Sequence, residues 1–260
     1  MLKILKYSFS DLLRSRWSYV YFLFYLVIGF VLLFLNNDTS KAVITLMNII
    51  VVLTPLIGTI FGIMYYYNSR EFTELLLAQP LKRSTIFLGQ YIGVSLSLSL
   101  SLVLGLGIPF LAYGVIQSSA IFNFISLLAI GAFLTFIFVA LAFNIGLNNE
   151  NKIKGFGYAI LLWLFLAVIY DGVFLISLMV FQEYPLDQFS LFATLFNPVD
   201  LSRILILLKL DISALLGYTG AVFQKFFGTN FGMLLSSGVL VLWVVLPTWR
   251  IVSKSKSKDF

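Results

Sequence analysis

Few residues in this chain are equipped for chemistry. There is no cysteine and no histidine, which excludes thiol nucleophiles, disulfides, imidazole acid–base catalysis, imidazole-ligated haem and the common zinc sites. Soft Cu(I) sites draw on Cys, Met and His, and only five Met remain. Met47 and Met64 share one apolar run but lie 17 residues apart, so passage of copper through the chain by ligand exchange is not expected. No phosphate-binding loop of the G-x-x-x-x-G-K-[ST] type occurs. Gly105-Leu106-Gly107 lacks the third glycine of a dinucleotide fingerprint and reads as helix packing. Three polar groupings stand out. Asp171 sits within an apolar run, Glu71 and Glu74 lie three apart ahead of Pro80, and Asp200 and Arg203 follow Asn197-Pro198. The expectation is a chain with no catalytic or metal-ligating residues and no cofactor of its own.

The elements that must position these groups are membrane helices. Of the 260 residues 60% are apolar and 11% charged, too little polar surface to coat a water-soluble globule. Several apolar runs reach the roughly 20 residues that cross a hydrocarbon core. Six spans are predicted: Trp17 to Leu35, Ala42 to Tyr67, Thr85 to Val115, Ile121 to Leu147, Phe156 to Phe181 and Gly232 to Trp249. Residues 1–16 space Leu2, Leu5, Phe9, Leu12 and Leu13 as one apolar helix face and predict an interfacial helix. The alternation SLSLSLSL at Ser95 to Leu102 would read as a strand in water. In lipid an open strand leaves its backbone unpaired, so a helix is predicted, its serines bonding back to their own carbonyls or to neighbouring helices. Gly105, Gly107 and Pro109 are expected to kink that helix, and Tyr65, Tyr66 and Tyr67 to close the second span at the interface. The fold class is thus all-α and polytopic, with six transmembrane helices, an N-terminal interfacial helix and short re-entrant or outer helices between spans five and six.

Thirteen of the 17 Lys and Arg residues fall in the loop set that includes both termini and residues 68–84 and 148–155, against four in the opposite set. The positive-inside rule then puts both termini in the cytoplasm and residues 182–232 outside. The net charge of +6 is explained by these clusters beside spans, with the lipid bilayer as partner and no nucleic acid. Within residues 68–84, Pro80 ends a short helix by disfavouring helical geometry at Gln79. Asn197 can cap a helix that starts at Pro198, and Asp200 can pair with Arg203. No basic residue lies deep in a predicted span to pair with Asp171, which marks it as functional or as a packing element.

The order acidic residue, Thr73, Glu74-Leu75-Leu76-Leu77, Pro80-Leu81, Lys82 and later Leu88-Gly89 resembles the cytoplasmic segment after the second span in ABC type-2 export permeases. The layout of the whole chain is similar too. VIYDG at Val168 to Gly172 and NPVDLSRIL at Asn197 to Leu205 resemble, more narrowly, the permeases of the Nos system, which matures the copper enzyme nitrous oxide reductase. The resemblance implies a single permease domain over 1–260 in the bacterial inner membrane, acting as a homodimer. Two cytoplasmic NosF-like ABC ATPase subunits, carrying ATP and Mg, would dock at Glu71, Thr73, Glu74, Leu75, Leu76, Leu77 and Pro80. A periplasmic NosD-like protein, with a copper chaperone, would be read at Asn197, Pro198, Asp200 and Arg203. The chain itself would not be an enzyme. An ABC exporter of a lipid, polysaccharide, drug or ion, or one serving gliding motility, has the same layout. A secondary transporter would need coupling charges in several spans, and only Asp171 is evident.

Overall fold

The computed structural model describes residues 1–35, 39–117, 121–181, 186–209 and 223–257. Residues 36–38 of the expected polar turn, Pro185 and residues 210–222 of the outer insertion lie outside them. All regular structure among the described residues is helical: α1 (Leu2–Leu13), α2 (Arg16–Leu35), α3 (Thr39–Asn68), α4 (Arg70–Leu77), α5 (Arg83–Ala112), a 3-10 turn (Val115–Gln117), α6 (Ile121–Asn148), α7 (Lys152–Leu164), a π-helical turn (Phe165–Ile169), α8 (Tyr170–Val180), α9 (Asp187–Phe196), α10 (Pro198–Lys209) and α11 (Asn230–Ser257). Six helical stretches are long and apolar enough to span: Arg16–Leu35, Lys41–Asn68, Arg83–Ala112, Ile121–Asn148, Lys152–Val180 and Phe231–Lys256. These coincide with the six predicted runs, and the chain is an all-α polytopic membrane protein. The α9–α10 pair bends by 115° and forms a broken span or a re-entrant loop.

Spans gain little from the hydrophobic effect when they leave lipid for one another, so close backbone approach and polar bonds must hold them. The sequence supplies both along α5. Gly89, Gly93, Ser97, Ser101, Gly105 and Pro109 recur every fourth residue and form one ridge of small side chains. Onto its first half lies α1, with Ile4, Ser8 and Leu12 buried. A Cβ on Gly93 would meet the Ser8 Cβ at 2.8 Å and the Leu5 carbonyl oxygen at 2.9 Å, and one on Gly89 would meet Ile4 Cγ2 at 3.0 Å. The second half carries α2. A Cβ on Gly105 would meet the Phe22 carbonyl oxygen at 2.9 Å, Gly29 faces Pro109 in the same way, and Ser18 Oγ lies 3.3 Å from Ser101 Oγ. The SLSLSLSL stretch is helical, with all four serines buried and Leu96 and Leu100 turned out. Ser95 and Ser101 donate to the carbonyls four residues back. α5 runs through Gly105, Gly107 and Pro109 to Ala112 as one helix.

The centre of the bundle is the pair α3 and α6. A Cβ on Gly62 would meet that of Ala142 at 3.0 Å, and Tyr25 in α2 bonds Thr54 in α3 at 2.9 Å. Tyr65, Tyr66 and Tyr67 do not face the interface as expected: all three are buried. Room for Tyr66 and Tyr67 comes from glycine, since a side chain at Gly146 would overlap the Tyr66 ring and one at Gly155 the Tyr67 hydroxyl. That hydroxyl donates to the Asn149 carbonyl at 2.8 Å and so closes the α6–α7 turn, where Asn151 caps α7 through Ile153 N and Lys154 N.

Two glycines of α5 separate contact from helix propensity. Gly107 has nothing within 4 Å of an added Cβ, so Gly107→Ala should be neutral or stabilising by up to about 1 kcal/mol. At Gly93 the neighbours are mostly backbone atoms of α1 and cannot yield, so Gly93→Leu should detach α1 and cost about 2 kcal/mol or more. Thermal melts of the two purified variants check this. Equal melting temperatures would mean that α1 does not depend on the ridge.

Candidate functional site

Two places gather the polar residues singled out above. The first is the end of the bundle where α1, α4 and the start of α5 meet. α4 is too short to be stable alone, so its position depends on what holds it. Thr73, though expected at a docking surface, is buried. Its Oγ1 donates to the Ser69 carbonyl at 2.8 Å and accepts from Gln90 Nε2 at 2.9 Å. Gln90 belongs to α5 and is fully buried, directly after Gly89, where α1 is seated. On the other side the Phe72 ring stacks on Tyr7 of α1 with centroids 4.6 Å apart. Thr73 therefore fastens α4 rather than presenting it.

The opposite face of α4 is open. Glu71, Glu74, Ala78, Gln79 and Pro80 are exposed, Leu75 is 69% exposed, and Leu76 and Leu77 are half-buried. Glu74 pairs with Arg70 at 3.0 Å, an exposed contact that contributes about 0 to 1 kcal/mol. The helix ends at Leu77, three residues before Pro80. A short acidic helix with apolar residues beside its carboxylates, fixed from behind by a buried amide, is thus presented at one end of the molecule.

The second place lies where α10 folds back against the fifth span. Asp171 sits nine residues before the end of α8, about 14 Å along the axis at 1.5 Å per residue. Contrary to expectation it has a basic partner: Arg203 Nη1 donates to Asp171 Oδ2 at 2.9 Å and stands 3.5 Å from Asp200 Oδ1. The partner comes from α10, which the 115° bend folds back against the spans. At the elbow Asn197 uses both ends of its amide. Oδ1 accepts from Val199 N at 3.0 Å, giving the predicted cap, while Nδ2 donates to Asp200 Oδ2 at 2.7 Å and to the Leu166 carbonyl at 2.8 Å. Leu166 belongs to the π-helical turn, whose wider winding frees a carbonyl for such a bond. Irregular backbone at membrane depth is tolerated where protein satisfies it, and Asn197 does so for both segments.

Asn197, Pro198, Asp200 and Arg203, expected to read a periplasmic partner, are brought together at this elbow. Asn197, Pro198 and Asp200 are buried, and Arg203 retains 24% side-chain exposure. The apolar residues from Leu201 to Leu208 have to be covered. They are covered by the chain's own α3, α6 and α11, which takes the polar residues at the head of α10 inside with them. Gln90, Leu166, Tyr7 and Phe72 were not singled out in the sequence. Only Gln90, a lone amide at the head of an apolar run, carried a signal.

Truncating one member of a part-buried ion pair strands the other, at a cost of about 1 to 3 kcal/mol where solvent still reaches the site. Asp171→Leu and Arg203→Leu should each lose about that much, whereas Asp171→Asn retains an acceptor for Arg203 and should lose less than half. The double variant Asp171→Leu/Arg203→Leu should fall short of the sum of the single losses, the mark of direct coupling. Additive losses in denaturation midpoints would mean that the two side chains do not interact.

No family model matches the chain. Among curated proteins it is similar to one described as "Probable ABC transporter permease protein NosY", from Stutzerimonas stutzeri, at 27% identity over 96% of this chain and 93% of the relative. The resemblance seen in a few short motifs thus extends along nearly the whole polypeptide, and the chain is a distant NosY-like sequence.

Proposed function

We propose that this chain is the transmembrane permease subunit of an ABC transporter, with ATP hydrolysis on a separate protein. The observation that carries this reading is the mounting of α4: its acidic face is open while Gln90 and Tyr7 hold its back through Thr73 and Phe72. Force applied to α4 passes into α1 and α5 without the slack of a flexible loop. The whole-length similarity to a permease supports the same reading.

In this proposal the chain lies in the bacterial inner membrane with both termini, α1 and α4 in the cytoplasm, in keeping with the distribution of its Lys and Arg. Two copies form the permease. Each presents Glu71, Glu74 and Leu75 to a NosF-like ATPase, on which ATP and Mg are bound. Closure of the ATPase pair pushes on α4 and α1, and the motion is relayed along α5. At the far side the segment 182–232 engages a periplasmic NosD-like protein and the copper chaperone that serves it. The elbow at Asn197 then acts from within, keeping α10 against span five through Asp171 and Arg203. The output proposed is copper-site assembly in nitrous oxide reductase, by mechanical relay rather than by copper passing through a chain that has neither Cys nor His.

The cysteine-free background makes the topology testable. A single Glu71→Cys should react with a membrane-impermeant maleimide only after the cytoplasmic side is opened, and labelling in intact cells would overturn the orientation. The Glu71→Lys/Glu74→Lys variant should retain its melting temperature, because both residues are exposed, yet lose co-purification with the ATPase or its stimulation. A variant that assembles and turns over normally would remove α4 from the docking surface.

A further inference from the structure

A groove of about 390 Å³ runs along the outside of α11, between α6 and the end of α9. Its walls include Leu141, Phe196, Val239, Trp243 and Leu246, and Arg250 stands at one end. From Val239 to Arg250 is 11 residues, about 16 Å of helix, close to the roughly 15 Å of hydrocarbon in one leaflet. The polar hydrogens deep in the groove are already committed, while the buried Asn144 Oδ1 has no hydrogen-bond partner among the described residues. Trp243 Nε1 donates to the Leu195 carbonyl at 3.3 Å, and Asn144 Nδ2 to the Ala140 and Pro247 carbonyls, both at 2.8 Å. Arg250 is exposed, has no ionic partner among the described residues, and follows Trp249, which is 69% exposed and suited to the headgroup level. No carboxylate lines the groove.

We infer that this groove holds one anionic phospholipid, with an acyl chain against Trp243 and Leu246 and its phosphate on Arg250. Length and charge both favour this occupant. The cavity is one leaflet deep and, Asn144 apart, apolar along that depth, and its single free charge is a cation placed where a phosphate lies. The lipid belongs to the leaflet at the Arg250 end, the cytoplasmic one in the orientation proposed above. Because Phe196 forms part of the wall and Asn197 is the next residue, an occupied groove bears directly on the elbow that keeps Arg203 against Asp171.

The test is native mass spectrometry of the delipidated chain, titrated with phosphatidylglycerol or with phosphatidylcholine of the same acyl length. One phosphatidylglycerol should be retained with about fivefold preference, the weight of a single cation at an anionic headgroup. Arg250→Gln should abolish the preference, Arg250→Lys should retain most of it, and Leu246→Trp, which fills the groove, should lose both lipids without loss of melting temperature. The inference is overturned if Arg250→Gln binds like wild type, if glycerol phosphate alone competes as well as the whole lipid, or if the groove variants change only the proportion of dimer, which would make a second copy of the chain the occupant.

Discussion

Two helices can approach only as far as their side chains permit, and in this protein that limit is set by α5. Small residues at every fourth position remove the obstacle along one face, so the backbones of α1 and α2 come within van der Waals contact of it. Everything at the α4 end depends on this approach. With α1 seated on Gly89 and Gly93, Tyr7 is positioned to stack on Phe72. With Gln90 turned inward beside that seat, Thr73 has its partner. A bulkier ridge would separate α1 from α5 and leave an eight-residue helix without support.

The second site answers a different constraint. A break in a membrane helix exposes backbone groups that lipid cannot satisfy, and this chain has irregular winding at membrane depth in two places, the π-helical turn before α8 and the elbow before α10. They are solved jointly. One amide, Asn197, caps α10 and occupies the freed carbonyl of Leu166, and the ion pair of Asp171 and Arg203 joins the same two elements nearby. Three charged side chains, Asp200 buried and Asp171 and Arg203 part-buried, are thereby tolerated at this junction because each finds a partner there. The two sites are connected through α3 and α6: α4 and α5 pack on α3, α5 on α6, and α10 on both.

Much of this was legible in the sequence and some was not. Hydropathy fixes spans, because twenty apolar residues have few alternatives, and all six fell where the runs lie. The helical state of SLSLSLSL followed from the cost of unpaired backbone in lipid. The ridge was present in the same letters, at Gly89, Gly93, Ser97, Ser101, Gly105 and Pro109, yet the period of two in the leucines and serines masks the period of four. The partner of Asp171 was hidden for another reason. Arg203 is 32 residues away across an elbow whose angle no local pattern encodes, and a count of charges by loop places it outside the membrane. The inward turn of Tyr66 and Tyr67 depends on Gly146 and Gly155, distant in sequence, and aromatic residues at the end of a span read equally well as an interface belt.

The account rests on α1 and α4 moving as one body when the ATPase closes. Tyr7→Cys/Phe72→Cys, joined by a short thiol-specific crosslinker, would bind the two helices covalently at the place where the native rings already touch. In the reconstituted complex, ATP-driven output should survive crosslinking at close to the rate of the unlinked protein. Loss of output on crosslinking, regained when the linker is cleaved, would show that α4 must move against α1 and would contradict the account.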